Sequence, residues 1–179
     1  MGGARPGEWG AALLAVCGCV ALAVRPPGSF SAVLVTGAVG AVGALAPLRR
    51  DEVERPRGTR WLVAVGMGIT AFAIGRWLRV AVAPAPVTTL AVGASLLAAA
   101  AEELFFRRFV YGWLIRWGAW LAVGGSAMAF AIVHVPVYGV RALPIDLAAG
   151  VLFGWQRWAA GTWSASAVTH AAANLLQMS

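Results

Sequence analysis

Residues 87–115 read VTTLAVGASLLAAAAEELFFRRFVYGWLI, an apolar run whose only charged residues are Glu102-Glu103 and Arg107-Arg108. A spanning helix needs roughly 20 apolar residues, so this stretch is long enough to cross a bilayer as one continuous helix. Working outward, the same pattern recurs. Candidate spans lie at 9–24, 30–48, 61–83, 87 to about 115, 117–135, 143–158 and 162–178, separated by Pro, Gly or Arg. The expected fold class is all-α, a polytopic transmembrane helical bundle of about six or seven spans.

Composition agrees with that reading. The chain is 60% hydrophobic and 12% charged, with a mean hydropathy of +0.78. A soluble domain carries about 25% charged residues and has nowhere to hide so much apolar surface, which excludes a cytosolic or secreted globule. The net charge of +7 comes from 14 Arg, with no Lys, against 7 acidic residues. These Arg gather in short gaps between apolar runs and read as topology determinants rather than as a nucleic-acid surface, so the bilayer is the expected partner and nucleic acid is not.

The one strongly polar loop, residues 49–60 (RRDEVERPRGTR), holds five Arg and is expected in the cytoplasm. Counting from it places the N-terminus with Arg5 inside, the Arg25 turn outside, the Arg116 and Arg157 turns inside, and the Arg141 turn and C-terminus outside. Arg76 and Arg79 either snorkel to the outer interface or line the bundle interior. The all-Arg, Ala- and Gly-rich usage points to a prokaryotic plasma membrane. Cys17 and Cys19 lie two apart on a helix and point to nearly opposite faces, which suits packing rather than a disulfide or a metal site.

The chain divides at about residue 85. Residues 1–85 are expected to form N-terminal transmembrane helices without a recognisable motif, and residues 86–179 the helical core that carries the candidate functional groups. Every acidic or histidine residue within an apolar run falls in the second part. An ionisable group at the centre of a spanning helix costs roughly 2.5–3.5 kcal/mol on insertion scales, so each is a functional candidate. The candidates are Glu102, Glu103, His134, Asp146 and His170, with Asn174 one turn beyond His170.

Helical spacing sorts them. Glu103 and Arg107 are i,i+4 and can neutralise one another, which leaves Glu102 about 100° around the helix for other work. His170 and Asn174 share a face in the same way, whereas His134 meets the others only through tertiary packing. At about 1.5 Å per residue, Glu102 lies roughly 22 Å and His134 roughly 25 Å from a turn near Trp117, and His170 roughly 15 Å from a turn near Ala160. Three helices therefore deliver a carboxylate, two imidazoles and a carboxamide to a similar depth.

Each feature also has a structural reading. Glu103 with Arg107 can be an ion pair, His170 with Asn174 can be interhelical hydrogen-bond glue, and Asp146 is expected to cap a helix after Pro144. Gly150 and Gly154 form a small-xxx-small pair that permits close helix contact. Packing alone does not account for the concentration of these groups in a few patches, of types that together can activate water.

Glu102-Glu103-x-x-x-Arg107, then Phe130-x-x-x-His134, then His170-x-x-x-Asn174, in that order on successive helices, resembles the CPBP family of intramembrane proteases. That family includes CAAX-processing endopeptidases and bacterial Abi-type proteins, some linked to bacteriocin self-immunity. The resemblance covers roughly residues 86–178, and Gly161-Thr162-Trp163 ahead of His170 looks like part of it. Arg108 departs from it, standing where a small residue commonly follows the motif Arg.

The resemblance implies an intramembrane endopeptidase that cleaves a membrane-embedded or membrane-adjacent peptide or protein. It implies that Glu102 and His134 activate a water, that His170 and Asn174 stabilise the oxyanion, and that Glu103 and Arg107 support them. A second version places zinc on Glu102, His134 and His170, and the sequence leaves both open. No H-E-x-x-H helix is present, which excludes an ordinary zincin site. The rival readings are a transporter or proton relay using the buried Glu and His, and a non-catalytic immunity protein.

Overall fold

The positions of Pro, Gly and capping residues between apolar runs account for where each helix begins and ends. The computed structural model describes residues 6–26, 28–47, 55–78 and 87–178. Among them the chain forms α1 (Pro6–Val24), α2 (Phe30–Leu45), α3 (Gly58–Trp77), α4 (Thr89–Trp117), α5 (Ala119–Tyr138), α6 (Leu143–Ala160) and α7 (Ser164–Met178). No strand occurs among the described residues. The fold is the expected all-α bundle, with one helix for each expected span. By length and apolar content α3, α4 and α5 each suffice to cross a membrane, and α1 and α2 contain shorter apolar helices.

Local signals set the ends. Ser29 Oγ accepts from the Ala32 N–H at the start of α2, and Thr88 Oγ1 from the Ala91 N–H at the start of α4, each at 3.1 Å. Gly161, at φ +74°, closes α6 with its N–H on the Arg157 carbonyl. Helix α3 is described to Trp77, and residues 79–83 of the expected third span lie outside the described residues. Arg5, Arg49 to Glu54 and Arg79, which enter the orientation argument, lie outside the described residues.

One expected cap is absent. Helix α6 starts at Leu143, so Ala142 occupies the capping position and Asp146 falls inside the first turn. That is one turn too late to accept from the leading amides, and its Oδ2 is buried with no hydrogen-bond partner.

The bundle buries charged and polar groups among its apolar core and exposes large apolar side chains. Glu103, Arg107, Gln156 and Thr169 are fully buried, whereas Trp120 is 90% and Leu90 83% exposed. That arrangement is what a lipid solvent selects, because hydrocarbon accepts leucine and tryptophan but offers no partner for a charge. Buried polar groups hold the helices together. Gln156 Nε2 on α6 donates to the Ala64 carbonyl of α3 at 2.6 Å and to Thr169 Oγ1 of α7 at 2.8 Å. Helices α5 and α6 share the most extensive contact, with Gly150 against the backbone of Ala127 and Gly154 against Val123. The expected close approach at this small-residue pair is therefore present.

Helix α4 is irregular directly after the glutamate pair. It is α-helical to Glu103, widens into a π-helix over Leu104–Val110, and returns to α over Tyr111–Leu114 before a closing 3₁₀ turn. Arg108 in the π segment donates to the carbonyls of Gly43 and Ala46 at the end of α2. These belong to the last turn of a helix, which leaves its carbonyls without intrahelical partners. The residue that departs from the family pattern thus serves as a cap for a neighbouring helix.

Candidate active site

Glu102 and Glu103 end the α-helical part of α4 and are both buried, and the two carboxylates take different partners. Glu103 Oε1 accepts from Arg107 Nη1 at 3.1 Å, the i,i+4 pairing that the spacing predicts. The same oxygen lies 3.1 Å from His170 Nδ1 on α7. Arg107 Nη2 donates to the Gly150 carbonyl at 3.1 Å, and its guanidinium stands over the rings of Phe130 and Phe153 at 4.6 and 5.2 Å. A buried arginine in an apolar bundle is tolerable only with such compensation.

Glu102 turns the other way. Its Oε2 lies 3.7 Å from His134 Nε2 on α5, and its Oε1 accepts from Arg25 Nη2 at 2.9 Å. His134 Nδ1 lies 2.7 Å from the Phe130 carbonyl. A carbonyl only accepts, so Nδ1 carries a proton here, and Nε2 is the nitrogen turned toward Glu102. Phe130 also packs against the imidazole, and Tyr138 stacks on it at 5.7 Å and 7°.

His170 is placed by Glu103 on one side and by Phe153 on the other, which stacks on it at 5.0 Å. With Nδ1 on Glu103, Nε2 is the nitrogen left for other partners. Asn174, one turn further, is part-buried and donates Nδ2 to the Ser95 carbonyl of α4 at 3.4 Å. Glu102, His134, His170 and Asn174 all line one cavity of about 730 Å³, within the range of small-ligand pockets. Asp146 and Arg76 line it too, which resolves the choice left open for Arg76: it faces the bundle interior, with Nε on the Leu176 carbonyl at 3.1 Å.

The depth estimates anticipated the meeting of Glu102 and His134. Helical spacing did not anticipate Arg25, which was read as a marker of the α1–α2 turn. No period within one helix carries a signal for it, because its partner lies 77 residues away. Tyr138 had a legible signal, its i,i+4 relation to His134, that ionisable-group reasoning passed over.

Among the described residues no three His, Cys, Asp or Glu side chains are gathered as ligands. His170 is engaged with Glu103 through Nδ1, and the Arg25 guanidinium already supplies the positive charge beside Glu102. The residues as arranged do not fit a zinc ion on Glu102, His134 and His170.

A family model for type II CAAX prenyl endopeptidases, Rce1-like, matches residues 84–176, from just ahead of α4 almost to the end of α7. The chain belongs to the Rce1-like family. This Rce1-like chain is an intramembrane endopeptidase by family, a class whose substrates are membrane-associated peptides or proteins. The match ends two residues beyond Asn174 and contains all six of Glu102, Glu103, Arg107, His134, His170 and Asn174. No match was found among curated proteins or among solved structures.

Proposed function

We propose that this Rce1-like protein hydrolyses a peptide bond of a membrane-embedded or membrane-adjacent substrate by a glutamate-type mechanism. The observation that carries the reading is the 3.7 Å separation of Glu102 Oε2 and His134 Nε2 at the wall of the cavity. A carboxylate and an imidazole lone pair are both acceptors, so neither can donate to the other, while a water between them can donate to both. Such a water is oriented and loses a proton to the pair as its oxygen attacks the scissile carbonyl.

His170 and Asn174 then face the oxygen on which charge develops, through His170 Nε2–H in the imidazolium form and the Asn174 amide. Glu103 supports that role by holding His170 Nδ1, and Arg107 fixes Glu103. The proton taken up by the Glu102–His134 pair leaves with the amine product. In this reading residues 86–179 form the catalytic core, and residues 1–85 frame the cavity.

The setting is a prokaryotic plasma membrane with the N-terminus and loop 49–60 in the cytoplasm. The described end of that loop pairs with the α6–α7 turn, Arg55 N–H on the Gly161 carbonyl and Arg57 N–H on that of Ala160. The cavity is lined by residues at the other helix ends, among them Arg25, Arg76, Tyr138, Asp146 and Gln177. It therefore opens away from the cytoplasm. The substrate class is a peptide or membrane protein of the kind processed in bacteriocin maturation or immunity.

The test compares wild type with Glu102→Gln and His134→Ala in proteoliposomes against a library of membrane-anchored peptides. Removing a general base is expected to lower the rate about 10²- to 10⁴-fold. Cleavage at the wild-type rate in both variants rejects the mechanism.

A further inference from the structure

The carboxylate oxygen of Glu102 that does not face His134 is held by a residue outside the matched region. Arg25 follows the last turn of α1, and its side chain is only 11% exposed. Its Nη2 donates to Glu102 Oε1 at 2.9 Å, and its Nη1 donates to Thr36 Oγ1 of α2 at 3.2 Å. Thr36 is itself buried. One planar guanidinium thus joins the end of α1, the middle of α2 and the carboxylate at the end of the α-helical part of α4.

We propose that Arg25 is a positioning residue for Glu102, contributed to the catalytic centre by the N-terminal half of the chain. A glutamate side chain has three rotatable bonds and two equivalent oxygens, so helical placement alone does not determine which oxygen faces His134 or at what angle. A donor fixed on Oε1 removes that freedom and leaves Oε2 directed at His134 Nε2. The guanidinium suits the task because its nitrogens lie in one plane at set angles, and the bond to Thr36 sets the direction of that plane. A lysine supplies the charge but not the two-point geometry. The same contact offsets the negative charge of a carboxylate with apolar neighbours, which an unpaired Glu102 would carry alone.

A purely structural tie between the two halves predicts something different: loss of Arg25 then lowers the amount or melting temperature of folded protein but leaves turnover per folded molecule unchanged. The proposal rests on Glu102 being the base, and its test keeps the two apart.

The experiment measures kcat and KM per folded enzyme in proteoliposomes, using the library peptide that wild type cleaves fastest, for Arg25→Gln, Arg25→Lys and Glu102→Gln. Arg25→Gln is expected to lose about 10- to 100-fold in kcat with KM within about two-fold of wild type, because misplacing a reacting group by about an ångström costs that much. Arg25→Lys is expected to fall between the two. Wild-type kcat in both Arg25 variants, or a rise in KM alone, overturns the proposal. If Arg25→Gln does not fold, Arg25→Lys decides on the same split, and if neither folds, Thr36→Val does. Full activity in Glu102→Gln rejects the underlying mechanism instead, whereas an inactive Glu102→Gln beside fully active Arg25 variants rejects only the role of Arg25.

Discussion

Glu103 Oε1 and His170 Nδ1 lie 3.1 Å apart and join α4 to α7 through an oxygen that also carries Arg107. Two side chains, one on each helix, therefore share one carboxylate oxygen. Glu103→Ala leaves Arg107 buried without its counter-charge and His170 without its orienting partner. Breaking a buried pair from one side costs about 3–5 kcal/mol, so a large fall in the detergent melting temperature is expected together with loss of cleavage. A variant with wild-type melting and activity would remove Glu103 from the support of the site.

The Gly150 carbonyl accepts from Arg107 Nη2, and a Cβ on Gly150 would press on the Ala127 backbone. The contact is to backbone, so no side-chain rotation relieves it. Gly150→Ala is expected to destabilise by about 1–3 kcal/mol, and Gly150→Val by more, with activity lost because the α5–α6 spacing sets where His134 lies relative to Arg107 and Glu103. Denaturant titration of purified variants beside the cleavage assay checks this. Unchanged stability in Gly150→Val would show that the helix contact can open without cost.

A glutamate-type mechanism makes a chelator harmless. The purified protein is expected to retain full activity in EDTA and in 1,10-phenanthroline, and to contain no stoichiometric metal by mass spectrometry. Loss of activity that added zinc restores would require the donor set to rearrange around a metal and would reject the mechanism proposed above.

Orientation is tested by labelling, with Cys17 and Cys19 replaced by Ala. In intact cells a membrane-impermeant maleimide is expected to label Val140→Cys, at an exposed position beside the cavity end, but not Glu52→Cys in the Arg-rich loop. External labelling of Glu52→Cys would reverse the orientation and turn the cavity toward the cytoplasm.

The two halves of the charge pattern were unequally legible. Arg55 and Arg57 mark a loop, as expected, because a guanidinium in a gap between apolar runs has water to go to. Arg157 was assigned to a turn by the same logic, yet it is buried, with Nε on the Arg107 carbonyl at 3.1 Å and its guanidinium over Tyr111. A helix end that packs against another helix gives an arginine an interior partner, and nothing in local sequence distinguishes the two cases. Asp146 failed as a cap for a related reason: α6 starts at Leu143, one residue before Pro144, which leaves Asp146 four residues past the capping position Ala142 and out of reach of the first amides.

By itself the sequence determined the all-helical class, the lipid solvent and which groups are anomalous in it, because hydropathy runs, breakers and i,i+4 spacing are properties of a chain before it packs. It also brought Glu103 to Arg107, a contact within one turn of helix. Only the tertiary structure decided that Glu103 holds His170, that Glu102 faces His134 across 3.7 Å, and that Arg25 from the other half of the chain lies against Glu102. Those relationships depend on how far each helix is rotated about its axis. Packing of side chains and close backbone contacts sets that rotation, and no residue spacing encodes it.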